Sequence, residues 1–231
     1  MNKVPVVQLH DIEFRWTRRA PLLLRIPRFQ LERGEHLFLL GPSGSGKSTL
    51  INLLAGIVRP NCGEVRLLDQ PLSQWRGARR DRFRVDHIGL IFQQFNLLPY
   101  LSVLENTLLP CWFSARRRDH AARQCSIEQQ AHALLSGLGL SDELLHQPVT
   151  ALSVGQQQRV AVARALIGKP ELIIADEPTS ALDADTRDSF IKLLFEHAED
   201  STIIFVSHDR ALAPLFHRSV SITELNTVDR G

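Results

Sequence analysis

Gly41-Pro42-Ser43-Gly44-Ser45-Gly46-Lys47-Ser48-Thr49 is the stretch that most limits what this chain can become. It fits the pattern G-x-x-x-x-G-K-[ST], which has meaning only with a strand before it and a helix after it. Both are legible. His36-Leu37-Phe38-Leu39-Leu40 is a short apolar run that stops at glycine, as a strand buried on both faces does. Beyond it, Leu50, Leu53 and Leu54 recur at helical spacing, which predicts a helix from Gly46 to about Ala55. Glycines let the loop curl so that backbone N–H groups reach a phosphate. The helix N-terminus adds partial positive charge beneath it. Lys47 is suited to bridge β- and γ-phosphates, and the Ser48 hydroxyl to ligate Mg²⁺.

A second apolar run, Leu172-Ile173-Ile174-Ala175, ends in Asp176-Glu177. Carboxylates at the C-terminal edge of a parallel sheet stand where such sheets bind ligands. Asp176 is suited to hold Mg²⁺ through water, and Glu177 to polarise an attacking water. Ile88–Phe92 and Thr202–Val206 read as further buried strands, and residues 4–40 as short strands and turns. Between them, Arg116 opens a polar, alanine-rich stretch to Ser136 that reads as one helix, broken at Gly137–Gly139. Gln156–Ile167 and about Ala184–Ala198 read as two more. The fold class is therefore α/β: a single domain over 1–231, with a P-loop parallel-sheet core and N-terminal β subdomain in 1–96 and 169–231. A helical subdomain is expected at 97–168.

Composition removes several alternatives. The net charge of +2 does not suit a general nucleic-acid binder. Three widely spaced cysteines and nine histidines without ligand spacing do not suit a disulfide framework or zinc site, and a reducing compartment fits. No apolar run is long enough to span a bilayer. Arg79, Arg80, Arg82, Arg84 and Arg116 to Arg118 read as solvated faces, with acidic lipid or a partner loop as the alternative.

A phosphate loop alone leaves kinase, GTPase and ATPase open. Further residues narrow the choice. Leu152-Ser153-Val154-Gly155-Gln156-Gln157-Gln158-Arg159 stands before the carboxylates. It resembles the LSGGQ signature of the ABC ATPase family, with Val154 in place of the first glycine. In family order, Gln93 resembles the Q-loop glutamine, Ser180-Ala181-Leu182-Asp183 the D-loop and His208 the switch histidine. Trp16 lies where the family has an aromatic that stacks on adenine. The resemblance covers nearly the whole chain.

It implies an ATP site made by Trp16, Gly41 to Thr49 and, from a second subunit, Ser153, Val154, Gly155, Gln156 and Asp183. Lys47, Gln93, Glu177 and His208 would be catalytic, with Ser48, Gln93 and Asp176 around Mg²⁺. It further implies an ATP-dependent head-to-tail dimer, expected to be a homodimer. The dimer would sit peripherally at the cytoplasmic face of the inner membrane and drive a separate permease. No nucleic acid is involved. The wording Gly89–Leu98, Asn106–Pro110 and Gly155–Arg159 looks like the lipoprotein-release, macrolide-export and cell-division group. That implies mechanical transmission, with a periplasmic or lipoprotein component. The alternative within that group is a cell-division-type signalling complex that moves no cargo. Val154, being β-branched, is expected to disfavour a left-handed backbone and to crowd the nucleotide.

Overall fold

The structure is a computed structural model that describes residues 5–180, 182, 184–198 and 201–228, the side chains of 184–186 excepted. Its contacts divide into two compact units, Met1–Arg84 with Thr202–Gly231, and Val85–Ser201.

The first unit carries an antiparallel sheet in the order β2-β1-β4-β5. Its strands are β1 (Val7–Phe14), β2 (Leu24–Leu31), β4 (Cys62–Leu67) and β5 (Gln70–Pro71). Val7, Leu9, Ile12 and Phe14 point to one buried face of β1. The alternation slips by one residue at Asp11, whose φ is 50, and the register pairs Leu9 with Phe29 and Ile12 with Ile26, so the buried positions of β2 slip in step. Pro27, which has no N–H to give, is tolerated because β2 is the edge strand.

In the same unit, β3 (His36–Leu40) lies parallel to β8 (Thr202–Ser207) and to β9 (Arg218–Ser221). β8 is buried along its whole length. That is why TIIFVS shows no alternation. Phe38, Phe205 and Phe216 pack as a ring cluster with centroids 5.1–6.3 Å apart. Burying each such ring is worth roughly 2–3 kcal/mol. The strand β3 runs into the phosphate loop and then α1 (Lys47–Leu54). A short α8 (Ile222–Leu225) follows β9.

Besides the short α8, two further helices lie outside those expected from the sequence. The first, α2 (Gly77–His87), starts in the first unit and ends in the second. It buries only Phe83, which meets Trp75 edge-on at 5.5 Å, and Arg79 covers the Trp75 ring at 3.9 Å. Its apolar face is one residue wide, so hydrophobic periodicity gives no sign of it.

The other, α3 (Val103–Phe113), belongs to the second unit and begins with a capping box between Ser102 and Glu105. Pro110 sits inside it, and proline argues against helix in a sequence reading.

The second unit pairs β6 (Ile88–Ile91) in parallel with β7 (Leu172–Asp176). The expected single helix from Arg116 to Ser136 is two, α4 (Ala115–Ala121) and α5 (Ile127–Gly137). Ser126 ends the continuity. Its hydroxyl accepts from the Gln129 N–H while the Gln129 side chain accepts from the Ser126 N–H, so a new helix starts there. Then come α6 (Val154–Leu166) and α7 (Ala184–Ala198), close to the expected bounds. Leu108, Cys111, Ala121, Ala131 and Ile167 form the core on which the helices of this unit pack.

Arg117 corrects the reading of the arginine run as a solvated face. It is 2% exposed. Its guanidinium donates to the carbonyls of Ile88, Arg164, Ala165 and Ile167. Three of these lie at the C-terminal end of α6, where carbonyls lack helical partners. Desolvation lowers this guanidinium to about 10, and the bonds to carbonyls offset the cost of its burial.

Candidate active site

The phosphate loop is built by β3 and α1. Gly46 is the N-cap of α1 at φ 101, a conformation that strains any residue with a Cβ. A Cβ there would also stand 2.8 Å from Leu24 Cδ2. No side chain caps the start of α1, and a helix N-terminus of this kind attracts an anion. Lys47 is buried, and its Nζ donates to the carbonyls of Gly41 (2.7 Å) and Pro42 (3.0 Å). The ammonium thus closes the loop on itself, and it stands where phosphate oxygens would replace those carbonyls. Ser43, Gly44 and Ser48 are exposed, while Ser45 and Thr49 are buried.

Two more predicted residues belong to the same unit. Trp16 is 59% exposed, just beyond β1, and rests edge-on against Phe14 with centroids 5.1 Å apart. One ring face is left for a planar ligand. His208 is exposed at the end of β8. Its neighbour Asp209 caps the following 3₁₀ turn through the Ala211 N–H at 3.0 Å.

The second unit holds the rest. Asp176 ends β7, half-buried, and Glu177 follows with φ 46. A non-glycine residue in that region stores backbone strain, which clusters at functional sites. Gln93 is exposed in a tight turn after β6. Ser153 is the N-cap of α6 and forms a capping box with Gln156. The Ser153 hydroxyl accepts from the Gln156 N–H at 3.3 Å, and Gln156 Oε1 accepts from the Ser153 N–H at 2.9 Å. Two of the four open donors at this helix start are thereby used. The N–H groups of Val154 and Gly155 are the two that the box leaves for a ligand.

The structure corrects one expectation about Val154. It is the first residue of α6, with helical backbone, so no left-handed conformation is asked of it. Its side chain is 54% exposed and turns outward. Asp183 lies outside the described residues.

The ABC transporter family profile matches residues 24–180. The chain belongs to this family. It is an ATP-binding subunit and an ATPase. It is 38% identical to the lipoprotein-releasing system ATP-binding protein LolD of Saccharophagus degradans, over 83% of this chain and 82% of that one. It is 39% identical to the macrolide export ATP-binding/permease protein MacB 2 of Aeromonas hydrophila, over 95% of this chain but 33% of that one. Among solved structures, the dimeric ATP-binding cassette MJ0796, in a post-hydrolysis state with ADP and Pi, superposes with a TM-score of 0.79. It is 33% identical, over 93% of each chain. Among the described residues, no helix is long and apolar enough to cross a membrane.

Sequence reasoning missed several residues that hold this ATPase's site in place. The Gln158 amide, buried, donates to the Pro178 carbonyl at 2.8 Å and so fixes the chain just after Glu177. Asn106, fully buried, accepts from the Leu98 N–H and donates to the carbonyls of Leu98, Leu101 and Ser102. It pins the loop that follows the Gln93 turn. Arg164 donates to the carbonyls of Phe95 and Asn96. Gln158 and Arg164 carry no local signal because they act on backbone 20 to 69 residues away, while Asn106 acts on the four to eight residues before it.

Proposed function

We propose that this ATPase powers a separate membrane permease by closing, with ATP, into a head-to-tail dimer. The half-satisfied N-terminus of α6 is the observation that carries this reading. Two N–H groups beside an exposed Ser153 make an anion contact with no ligand of their own chain assigned to them. In the reading, they meet the γ-phosphate of ATP held by the partner's phosphate loop. Trp16 stacks on adenine, and residues 41–49 cradle the phosphates with Lys47. Glu177 accepts the proton of the attacking water, while His208 and Gln93 fix that water and the γ-phosphate. Asp183 belongs to the same interface, and the helical subdomain at 97–168 carries the signature residues.

Ser48, Asp176 and Gln93 fit Mg²⁺ by the chemistry of their donors. A hydroxyl, one carboxylate and an amide oxygen, completed by phosphate oxygens and water, are what this cation takes. Ser48 is exposed at the first turn of α1, as such a ligand has to be. When bound, Mg²⁺ neutralises charge developing on the phosphates.

The match to most of LolD supports a dedicated ATPase subunit with its permease elsewhere, at the cytoplasmic face of the inner membrane. The likeness to the macrolide export protein MacB 2 and to the lipoprotein-releasing LolD supports export-related work; mechanical transmission and a periplasmic or lipoprotein component are part of the same proposal.

The test is solution mass with and without Mg-ATP, alongside phosphate release, for the protein and Glu177→Gln. The variant is expected to lose hydrolysis and to become a stable ATP-dependent dimer. A variant that still releases phosphate, or a mass that ATP never changes in either protein, would overturn the reading.

A further inference from the structure

The turn that carries Gln93 is built unusually. Phe95 has φ 58 and Asn96 φ 50, two consecutive residues with side chains in the left-handed region. The Phe95 N–H donates to the Phe92 carbonyl at 2.9 Å, and the Asn96 N–H to the Gln94 carbonyl at 2.6 Å. These local bonds do not by themselves hold a strained conformation, which persists only where the surroundings over-determine it. The Phe95 ring is itself buried, and one distant side chain grips the backbone of the turn. Arg164 Nη1 donates to the Asn96 carbonyl at 2.6 Å, and Nη2 to the Phe95 carbonyl.

Arg164 stands on α6, three turns beyond Ser153. The run between them is rigid: Val160, Ala161, Val162 and Ala163 are all buried. Along the helix axis, Ser153 and Arg164 are about 16 Å apart. A planar guanidinium can bond two adjacent carbonyls at once, which an ammonium on a flexible stem does poorly.

We propose that Arg164 is a positioning residue that ties the Gln93 turn to the signature helix, so that a shift of α6 on meeting a γ-phosphate moves Gln93 with it. This rests on the roles given above to Gln93 and to the α6 N-terminus. Hydrolysis would then be licensed by closure itself. A phosphate captured at one end of α6 sets the glutamine at the other, through a fork that releases neither carbonyl. The role differs from that of Arg117 on α4, whose guanidinium bonds carbonyls at the C-terminal end of α6 and at Ile88 rather than in the turn itself.

The experiment compares Arg164→Met, Arg164→Lys, Gln93→Ala and the double variant Gln93→Ala/Arg164→Met in the purified protein. Amide exchange over residues 92–98 and the kcat and KM for Mg-ATP are read together. Arg164→Met is expected to speed exchange in that turn while β6 and β7 amides hold. Its kcat should fall about ten- to a hundredfold with little change in KM, as misplacement of a catalytic group does. Arg164→Lys, which keeps the charge and the fold, should recover only part of the rate. The double variant should match Gln93→Ala within about twofold, because both changes remove one function. Unchanged exchange, or full rescue by lysine, overturns the proposal. So do losses that multiply while Gln93→Ala is itself impaired, and then the Gln93 assignment survives. If Gln93→Ala alone leaves kcat intact, the assignment of Gln93 falls and the proposal with it.

Discussion

Two helix starts in this molecule offer N–H groups to phosphate, and they are built differently. The start of α1 has no side-chain cap, a left-handed glycine and a buried lysine turned back on the loop. The start of α6 has a capping box that already uses two of its donors. The first has no side-chain cap and the second has a box that uses half of its donors. An uncapped start gains most from an anion and suits a nucleotide held throughout the cycle. A half-capped start gains less and stands alone at little cost. That suits a contact made and broken with each closure.

The widest separation between the two should come from Lys47→Ala. Removing the loop's own charge is expected to lower kcat/KM for Mg-ATP by about 10² to 10³. A nucleotide-binding titration checks that the monomer's affinity falls too. An unchanged affinity would mean that α1 needs no lysine, and the contrast would fail.

Acid should separate the two units next. Glu105 and Glu171, two carboxylates held below their ordinary range, both lie in the second unit. Burial alone would raise Glu171, but the His87 hydrogen bond and charge, with the Arg116 guanidinium, outweigh it and hold it at about 2 against 4.5. A depressed carboxyl stabilises the fold fully above its unfolded value, and that stability is lost as pH falls from about 4.5 towards 2. The loss is on the order of 3 kcal/mol for Glu171, and Glu171→Gln should remove the pH dependence along with it. Amide exchange at β7 against β3, measured from pH 5 downwards, should show the second unit opening first.

Ser153→Ala sharpens the comparison at the α6 start. It should cost about 1 kcal/mol of stability, as loss of an N-cap hydroxyl does. ATP binding to the monomer should stay as it was, while ATP-dependent dimerisation weakens. Loss of monomer affinity would put the signature residues in the wrong place. The smallest effect is expected from Val154→Gly. Val154 already has helical backbone and an outward side chain. Restoring glycine therefore costs roughly 0.5–1 kcal/mol of helix stability and leaves the dimer within about threefold. A dimer tightened far beyond that, by analytical ultracentrifugation, would mean that Val154 does crowd the nucleotide.

Local chemistry alone determined the phosphate loop, the α6 start and the apolar strands β3, β7 and β8. Each is specified by neighbours in sequence: glycines where φ must be positive, a serine three residues before a glutamine, an unbroken apolar run. Such signals act over a few residues and need no partner from afar. Tertiary structure alone decided the rest. The one-sided α2 and the proline-bearing α3 depend on packing that periodicity does not encode. Arg117 and Arg164 look like any surface arginine in the sequence. What sets them apart is a group of carbonyls 29 to 69 residues away, which exists only once the chain has folded. A buried guanidinium is stable where backbone acceptors replace water, and the fold creates that arrangement.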